Sequence, residues 1–352
     1  MKIIFCTPHL ATGGSERVMS LLANKFVQEG HSVEIILLSS NKCSYYLNEK
    51  IVTTYAGSND NTTILKRMFW LRAYVKKKSP DLTIAFLEKA YCFTLLSLLG
   101  LNVRVIASER NDPSSSLIYW RVLKWFLLPQ ATHLVVQTQK IKDYFPTKIQ
   151  QKTSIIFNPV TDKVFNLSVT EKNKIIVAVG RLYPQKNHKL LIEAFSKIHK
   201  KHQDYNLYIF GDGPLKQPLT ELIHDLNLEG RCFLKGRTEG IVEEMNRAEL
   251  FCLSSDFEGM SNALIEAVCI GLPIVTTNVS GTEIFLENEK NALIVNIGDT
   301  QAFAMAMDRL LSDEKLKKNM SEANKAKANI FRMDNIYKQW SDLINYYCSS
   351  NK

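Results

Sequence analysis

Hydrophobic residues alternate between two patterns along this chain. Short apolar runs predict strands, and longer stretches with apolar residues every third or fourth position predict helices. The first run, residues 2–6, leads into a helical pattern over 15–29, where Val18, Leu21, Leu22 and Phe26 share a face and Gly30 stops it. A strand at 33–38 follows, and parallel strands joined this way need a helical crossover. The alternation continues with a helix at 64–78, strands at 82–86 and 104–108, a helix at 117–128, and strands at 133–137 and 154–157. Asn158-Pro159 and a polar stretch to Lys174 interrupt it and read as a linker. The pattern restarts with strands at 175–179, 207–210, 231–234, 250–254 and 274–277. Helices at 187–200, 215–226 and 262–270 lie between them, and a helical tail runs from about 302.

Two successive βα arrays imply an α/β protein with two doubly wound domains. Ligands in such sheets bind outside the carboxyl ends of the strands. Two domains facing each other by those edges would enclose a cleft. The boundaries predicted are 1–165, 166–330 and a helical tail, 331–352, packing back toward the N-terminal domain.

The chain has 352 residues, 45% of them hydrophobic and 22% charged, an ordinary globular mixture. Its seven cysteines are odd in number and form no CxxC pair, which points to reduced thiols rather than a disulfide framework or zinc site. The apolar N-terminal run is too short for a signal peptide. No apolar stretch approaches the ~20 residues of a membrane span, so a cytoplasmic protein is expected. The net charge of +9 is unevenly placed. Residues 1–165 hold 21 Lys and Arg against 11 Asp and Glu, and residues 166–352 hold 23 against 24. A basic first half suits an anionic partner such as a membrane surface, a phosphorylated lipid or nucleic acid.

Three segments carry candidate chemistry. In Phe257-Glu258-Gly259-Met260-Ser261-Asn262-Ala263-Leu264-Ile265-Glu266, one carboxylate lies in a loop after a strand and the other inside an apolar helix. A buried carboxylate needs a donor. A capping box fits poorly, because the third position after Ser261 or Asn262 is Leu264 or Ile265. Pairing of Glu266 with a structural Arg is the bland alternative. The functional reading is a helix N-terminus facing an anionic or hydroxyl-rich ligand, with both carboxylates accepting from sugar hydroxyls. In Gly180-Arg181-Leu182-Tyr183-Pro184-Gln185-Lys186-Asn187, two cations beside a helix start suit a diphosphate; a solvated basic loop is the alternative. In Thr12-Gly13-Gly14-Ser15-Glu16-Arg17, paired glycines let a ligand approach the backbone. No GxGxxG fingerprint is present, including at Gly211-Asp212-Gly213.

Together Glu258-x7-Glu266, Gly180-Arg181…Lys186 and Gly13-Gly14…Arg17 resemble the retaining glycosyltransferases of family 4, with the GT-B fold, over essentially the whole chain. Phe210-Gly211-Asp212-Gly213-Pro214 also matches a segment common there. The resemblance implies that Arg181 and Lys186 hold the donor diphosphate and that Glu266 binds the ribose. It assigns the donor sugar to Glu258 and the backbone of Gly259, Met260, Ser261 and Asn262. Gly13 and Gly14 would approach the diphosphate, and Arg237 the base. The donor implied is a nucleoside-diphosphate sugar, with UDP and a hexose or N-acetylhexosamine first in line. Arg181, Lys186 and Glu258 are the catalytic candidates, and Arg17 and Arg110 the acceptor-binding ones. Arg110, in Ser108-Glu109-Arg110-Asn111-Asp112, stands where many relatives carry a histidine, and it cannot serve as a base. It either contacts an acceptor phosphate or the donor sugar, or pairs with Glu109 or Asp112.

No Asp-x-Asp pair occurs, so no metal is expected and the two cations would do its work. The histidines suggest no metal set. Residues 66–78 and 119–128 mix cations with aromatics, as helices lying in a lipid interface do. Ordinary domain helices with one core face are the alternative. With the basic first half, this points to peripheral binding at the anionic inner leaflet and a polyprenyl-diphosphate-linked glycan acceptor, as in bacterial surface-polysaccharide assembly. Two rivals stay open. One is a nucleotide-sugar epimerase of the same architecture. The other is a basic nucleic-acid-binding protein, although no nucleic-acid motif is present and no such partner is expected.

Overall fold

The structure is a computed structural model that describes residues 1–11, 13–56, 62–168 and 171–349. The chain forms two units: Met1–Pro159 with Met333–Lys352, and Val160–Arg332. The boundaries drawn from sequence fell at 165/166 and 330/331. Here they fall at Pro159/Val160 and Arg332/Met333. The two crossing segments lie side by side at the latter pair, with Val160 N donating to Phe331 O.

The first unit holds seven parallel strands: β1 Lys2–Thr7, β2 Ser32–Leu37, β3 Val52–Tyr55, β4 Leu82–Phe86, β5 Val105–Ser108, β6 His133–Val136 and β7 Thr153–Ile155. Their order is β3-β2-β1-β4-β5-β6-β7. Helices α1 (Gly14–Gln28), α2 (Ile64–Lys78), α3 (Glu88–Ser97), α4 (Ile118–Leu127), α5 (Gln139–Asp143) and α6 (Thr147–Gln150) connect them. The period-two side-chain alternation of β1 divides its residues between two cores. Ile3 and Phe5 pack with Val18, Leu22 and Phe26 of α1. Ile4 and Cys6 pack with Leu71 and Val75 of α2 and Tyr91 and Leu95 of α3. The sheet is thus covered on both faces, as all-parallel sheets require. The last helix of the chain, Met333–Ser349, belongs to the first of these cores through Ile336, Trp340 and Ile344.

The second unit holds β8 Ile175–Val179, β9 Asn206–Phe210, β10 Cys232–Gly236, β11 Leu250–Leu253, β12 Ile274–Thr277 and β13 Leu293–Val295, in the order β10-β9-β8-β11-β12-β13, all parallel. Its helices are α7 (His188–Ile198), α8 (Lys216–Asp225), α9 (Ile241–Arg247), α10 (Asn262–Ile270), α11 (Thr282–Phe285), α12 (Thr300–Ser312) and α13 (Glu314–Lys327). The terminal helix Met333–Ser349 is then α14. Ile176, Ala178, Leu207 and Ile209 pack against α7 and α12.

Both sheets are wound outward from a central pair of strands. Chain order reverses between β1 and β4 in the first unit and between β8 and β11 in the second. At such a switch point the connecting loops leave in opposite directions and open a crevice at the carboxyl edge. The loops that carry the candidate residues leave from these edges.

Candidate functional site

In the second unit, Gly180-Arg181 follows β8 directly and Ser254-Ser255-Asp256-Phe257-Glu258 follows β11 directly. The two loops flank the switch point and are clipped together. Ser254 Oγ donates to Lys186 O at 3.0 Å and Asp256 N donates to Gln185 O at 2.9 Å. Gln185 Nε2 donates to Phe257 O at 2.9 Å, and Asn187 Nδ2 to Asp256 Oδ1 at 2.8 Å. Lys186 Nζ forms an ion pair with Glu258 Oε1, which also accepts from Ser255 Oγ at 2.7 Å. Both partners of that pair are largely shielded, Lys186 at 14% and Glu258 at 8% side-chain exposure. A charge removed from water in this way needs its partner. Two of the three catalytic candidates therefore touch each other. Arg181 stays exposed, its guanidinium 5.0 Å from the centre of the Tyr183 ring.

A third loop supports the first from below. Gly180 N donates to Phe210 O, Leu182 N to Asp212 O and Leu215 N to Leu182 O, at 2.9 to 3.1 Å. Gly211 has φ +148°, and a Cβ there would lie 1.9 Å from Gly180 O. One at Gly213 would lie 2.5 Å from Leu182 O. Backbone meets backbone here, so both positions exclude a side chain for steric reasons. Gly211-Asp212-Gly213 is a buttress for the Arg181 loop.

Helix α10 starts at this crevice. Ser261 is its N-cap, with Oγ accepting from Leu264 N at 3.4 Å, which satisfies one of the orphan donors of the first turn. Ser261 thus has a capping role, without the box that a Glu at the third position would complete. Gly259 and Met260 are buried at the helix entrance, and Asn262 is its first residue. Glu266 is 2% exposed, one full turn into the helix and amid Leu264, Ile265, Ala267 and Val268. Arg237 follows the edge strand β10 and is exposed. His188, the first residue of α7, is buried beside the Arg181 loop, and burial pulls its pKa down to about 4, leaving a neutral ring.

In the first unit, the loop after β1 reaches Gly13, the N-cap of α1. Tyr45 Oη accepts from Gly13 N at 2.9 Å and donates to Gly13 O at 2.7 Å. The space beside the Gly13 Cα is taken by the Glu16 carboxylate, whose Oε2 lies 2.2 Å from where a Cβ would stand. Gly14 opens α1 and is exposed; Arg17 lies in its first turn, half-buried. Thr12 lies outside the described residues.

Arg110 follows β5 and is 4% exposed. Its guanidinium binds neither neighbouring carboxylate. Glu109 accepts from Tyr91 Oη at 2.7 Å and from the Arg110 backbone N–H, while Asp112 caps the turn that begins at Pro113. Instead Arg110 Nε donates to Ser108 Oγ at 2.8 Å and Nη1 to Asn158 Oδ1 at 2.7 Å. The group lies 4.3 Å from the centre of the Phe86 ring, a cation–π contact at the end of β4 beside the switch point. Burial draws its pKa down to about 9, so it stays charged at neutral pH.

The residues that position these groups were not among those picked from sequence: Ser255, Asp256, Asn158, Gln137 and Tyr45. The signal for most of them is a polar residue at the carboxyl end of a predicted strand. Among the described residues, no group of three or more His, Cys, Asp or Glu is arranged to hold a metal ion.

Helix α4 departs from a basic amphipathic pattern. Ile118, Trp125 and Phe126 are 71%, 57% and 72% exposed, with Leu117, Tyr119 and Val122 also exposed. Lys124, read from sequence as a headgroup-facing cation, is fully buried against Glu88 at 2.5 Å and Glu109 at 3.6 Å. No described helix is long and apolar enough to cross a membrane.

Two family models match end to end. Residues 12–163 match Glycosyltransferase Family 4, and residues 160–327 match Glycosyl transferases group 1. A Campylobacter jejuni protein named GalNAc-alpha-(1->4)-GalNAc-alpha-(1->3)-diNAcBac-PP-undecaprenol alpha-1,4-N-acetyl-D-galactosaminyltransferase is 28% identical over 98% of each chain. The amylovoran biosynthesis glycosyltransferase AmsD of Erwinia amylovora is 26% identical over 95% of this chain and 96% of its own. The crystal structure of Anabaena HepE in complex with UDP superposes with TM-score 0.84 at 17% identity, covering 98% of this chain and all of that one. With both sheets wound as described and both halves matched, the chain belongs to the GT-B glycosyltransferases, with a family 4 first domain and a group 1 second domain.

Proposed function

We propose that this glycosyltransferase moves a hexose or N-acetylhexosamine from a UDP-sugar to a sugar hydroxyl of a polyprenyl-diphosphate-linked glycan, with retention at the anomeric carbon and without a metal. The observation that carries the reading is the clipped pair of loops at the β8/β11 switch point. The loops after these two strands carry Arg181, Lys186 and Glu258 and lead into the N-terminus of α10, and Lys186 pairs with Glu258. A nucleoside diphosphate leaving the sugar gathers negative charge, and preorganised cations and helix N–H groups stabilise that transition state most. Arg181 forks the diphosphate as the exposed cation. Lys186 lies between it and Glu258, which takes a sugar hydroxyl. Glu266 and Arg237 serve the ribose and base. The departing phosphate takes the acceptor proton, so no protein base is required.

The acceptor class is favoured by the relatives named for undecaprenyl-linked substrates in C. jejuni and by the exposed apolar face of α4. That face would enter the acyl boundary of the inner leaflet while the surrounding cations of the first unit meet anionic headgroups. Arg17 and Arg110 would then face the acceptor.

The test is thermal stabilisation by UDP, GDP and ADP in excess EDTA, for wild type and Glu266→Ala. A ligand at 100 times its Kd adds about 2.7 kcal/mol. Stabilisation by one diphosphate, lost in the variant, supports the donor site. Stabilisation by none of them in the wild type would overturn it, and a requirement for added Mg²⁺ would overturn the metal-free mechanism.

A further inference from the structure

Among the described residues, the carboxyl ends of β5 and β6 lead to two buried polar atoms without a partner, Arg110 Nη2 and Gln137 Oε1. Their side chains meet at one atom: Asn158 Oδ1 accepts from Arg110 Nη1 and from Gln137 Nε2. The three residues follow β5, β6 and β7, neighbouring strands. This arrangement fixes the amide orientations. Arg110 only donates, so Asn158 must present oxygen to it. Gln137 must then present its nitrogen to that same oxygen, which turns its own oxygen away. One free donor and one free acceptor are left on a single rigid cluster, held in place by Ser108 and by the Phe86 ring.

A buried donor or acceptor left without a partner costs stability, and such groups are rare in native proteins. The pair also selects the chemistry of whatever relieves it. A phosphate or carboxylate satisfies Arg110 but sets its own lone pairs against Gln137 Oε1. A metal ion or ammonium suits Gln137 and is repelled by the guanidinium. Hydroxyl groups both accept and donate, and a sugar carries them on adjacent carbons. We propose that Arg110 and Gln137 form a paired reader of sugar hydroxyls at the carboxyl edge of the first unit, with Gln137 as the residue that sets sugar specificity. This rests on the glycosyltransferase reading above and narrows it: Arg110 reads a sugar rather than clamping a phosphate. The sugar is that of the donor or that of the acceptor, and the experiment separates the two.

Wild type, Gln137→Met and Gln137→Glu are compared. Met removes both hydrogen-bonding atoms at similar size; Glu keeps an acceptor in place of Oε1. The donor arm measures binding of UDP against UDP-glucose, UDP-galactose and their N-acetylamino counterparts by thermal shift and titration. The acceptor arm measures KM for polyprenyl-diphosphate-linked saccharides, intact and with single hydroxyls replaced by hydrogen. If the pair reads the donor, Gln137→Met weakens the best UDP-sugar roughly tenfold and leaves UDP unchanged. If it reads the acceptor, the variant raises the acceptor KM roughly tenfold. In either arm, one deoxy position that costs the wild type should cost Gln137→Met nothing, because the hydroxyl has already lost its partner. Gln137→Glu retains sensitivity at that position. Equal deoxy penalties in wild type and Gln137→Met at every position of both substrates would overturn the proposal while leaving the donor site standing. Absence of any nucleotide binding by the wild type would instead remove the reading beneath it.

Discussion

The two units share one architecture and differ in what they place at the carboxyl edge of the sheet. In the second, the loops of the crevice are bound to each other through Lys186 and Glu258, Asn187 and Asp256, Ser254 and the Lys186 carbonyl. In the first, Arg110 and Gln137 are tied down at one end and left unsatisfied at the other. A self-paired crevice is rigid before its ligand arrives, which suits recognition of a group common to many substrates. An edge with unfilled hydrogen-bonding capacity is completed by the ligand, which suits discrimination between sugars. On the proposed reading, the same fold thus separates holding from choosing.

The largest effect should come from breaking the self-pairing. Lys186→Met leaves Glu258 shielded without its cation and removes charge from the proposed leaving-group site. Steady-state kinetics should show kcat/KM down by about 10³-fold or more, as when a preorganised donor is lost elsewhere. A change below about tenfold would mean that Arg181 and the α10 N-terminus suffice. Next comes the buttress. Gly211→Ala brings a Cβ against Gly180 O in a backbone region that favours glycine, and should cost about 3 kcal/mol in chemical denaturation. Gly230 also has positive φ, but nothing lies within 4 Å of its Cβ position. Gly230→Ala should cost only about 1 kcal/mol. Equal costs would show that conformation, not the contact with the Arg181 loop, governs both.

A smaller effect tests the first unit's outer face. Trp125→Ser with Phe126→Ser should reduce sedimentation with anionic liposomes about tenfold or more while leaving UDP stabilisation intact. Unchanged sedimentation would remove α4 from the membrane reading. The last test is one of pH, and each unit contributes a buried histidine to it. His133 and His188 are both held near pKa 4 by burial, below the ordinary 6.5. The unfolded chain takes up protons first as pH falls, so their contribution to stability is full above about 6.5 and is lost toward 4. Each contributes a slope of up to about 1.4 kcal/mol per pH unit within that window. His188→Asn should flatten the acid limb of the melting curve; an unchanged limb would mean that the ring charges within the fold.

Much of the frame was legible in the sequence. The helices at 64–78 and 262–270 and the strands at 82–86, 175–179 and 274–277 stand where the hydrophobic pattern put them. The missing elements had no such pattern. β3 is an edge strand reading Val-Thr-Thr-Tyr, with no apolar face to reveal it. α3 lies between α2 and α4 and is apolar on most sides, so its residues show no period. The loops bearing Arg181 and Glu258 could be found because each follows a strand. Their pairing could not, since Lys186 and Glu258 are 72 positions apart and only the sheet order brings them together. Lys124 misled for a related reason. A cation amid aromatics looks like a surface residue until its carboxylate partners, 15 and 36 positions earlier, are known.

One feature of the chain path bears on biosynthesis. Trp340, Ile336 and Ile344 fill the first unit's core, yet the ribosome makes them after every residue of the second. The second unit is one continuous segment and can complete itself during translation. The first must wait, with the place of α14 open beside Phe86 and Phe26, until the end of the message is read. During that interval the nascent polypeptide exposes an aromatic groove, a natural target for chaperones, and a premature stop codon after residue 332 would leave it permanently unfilled.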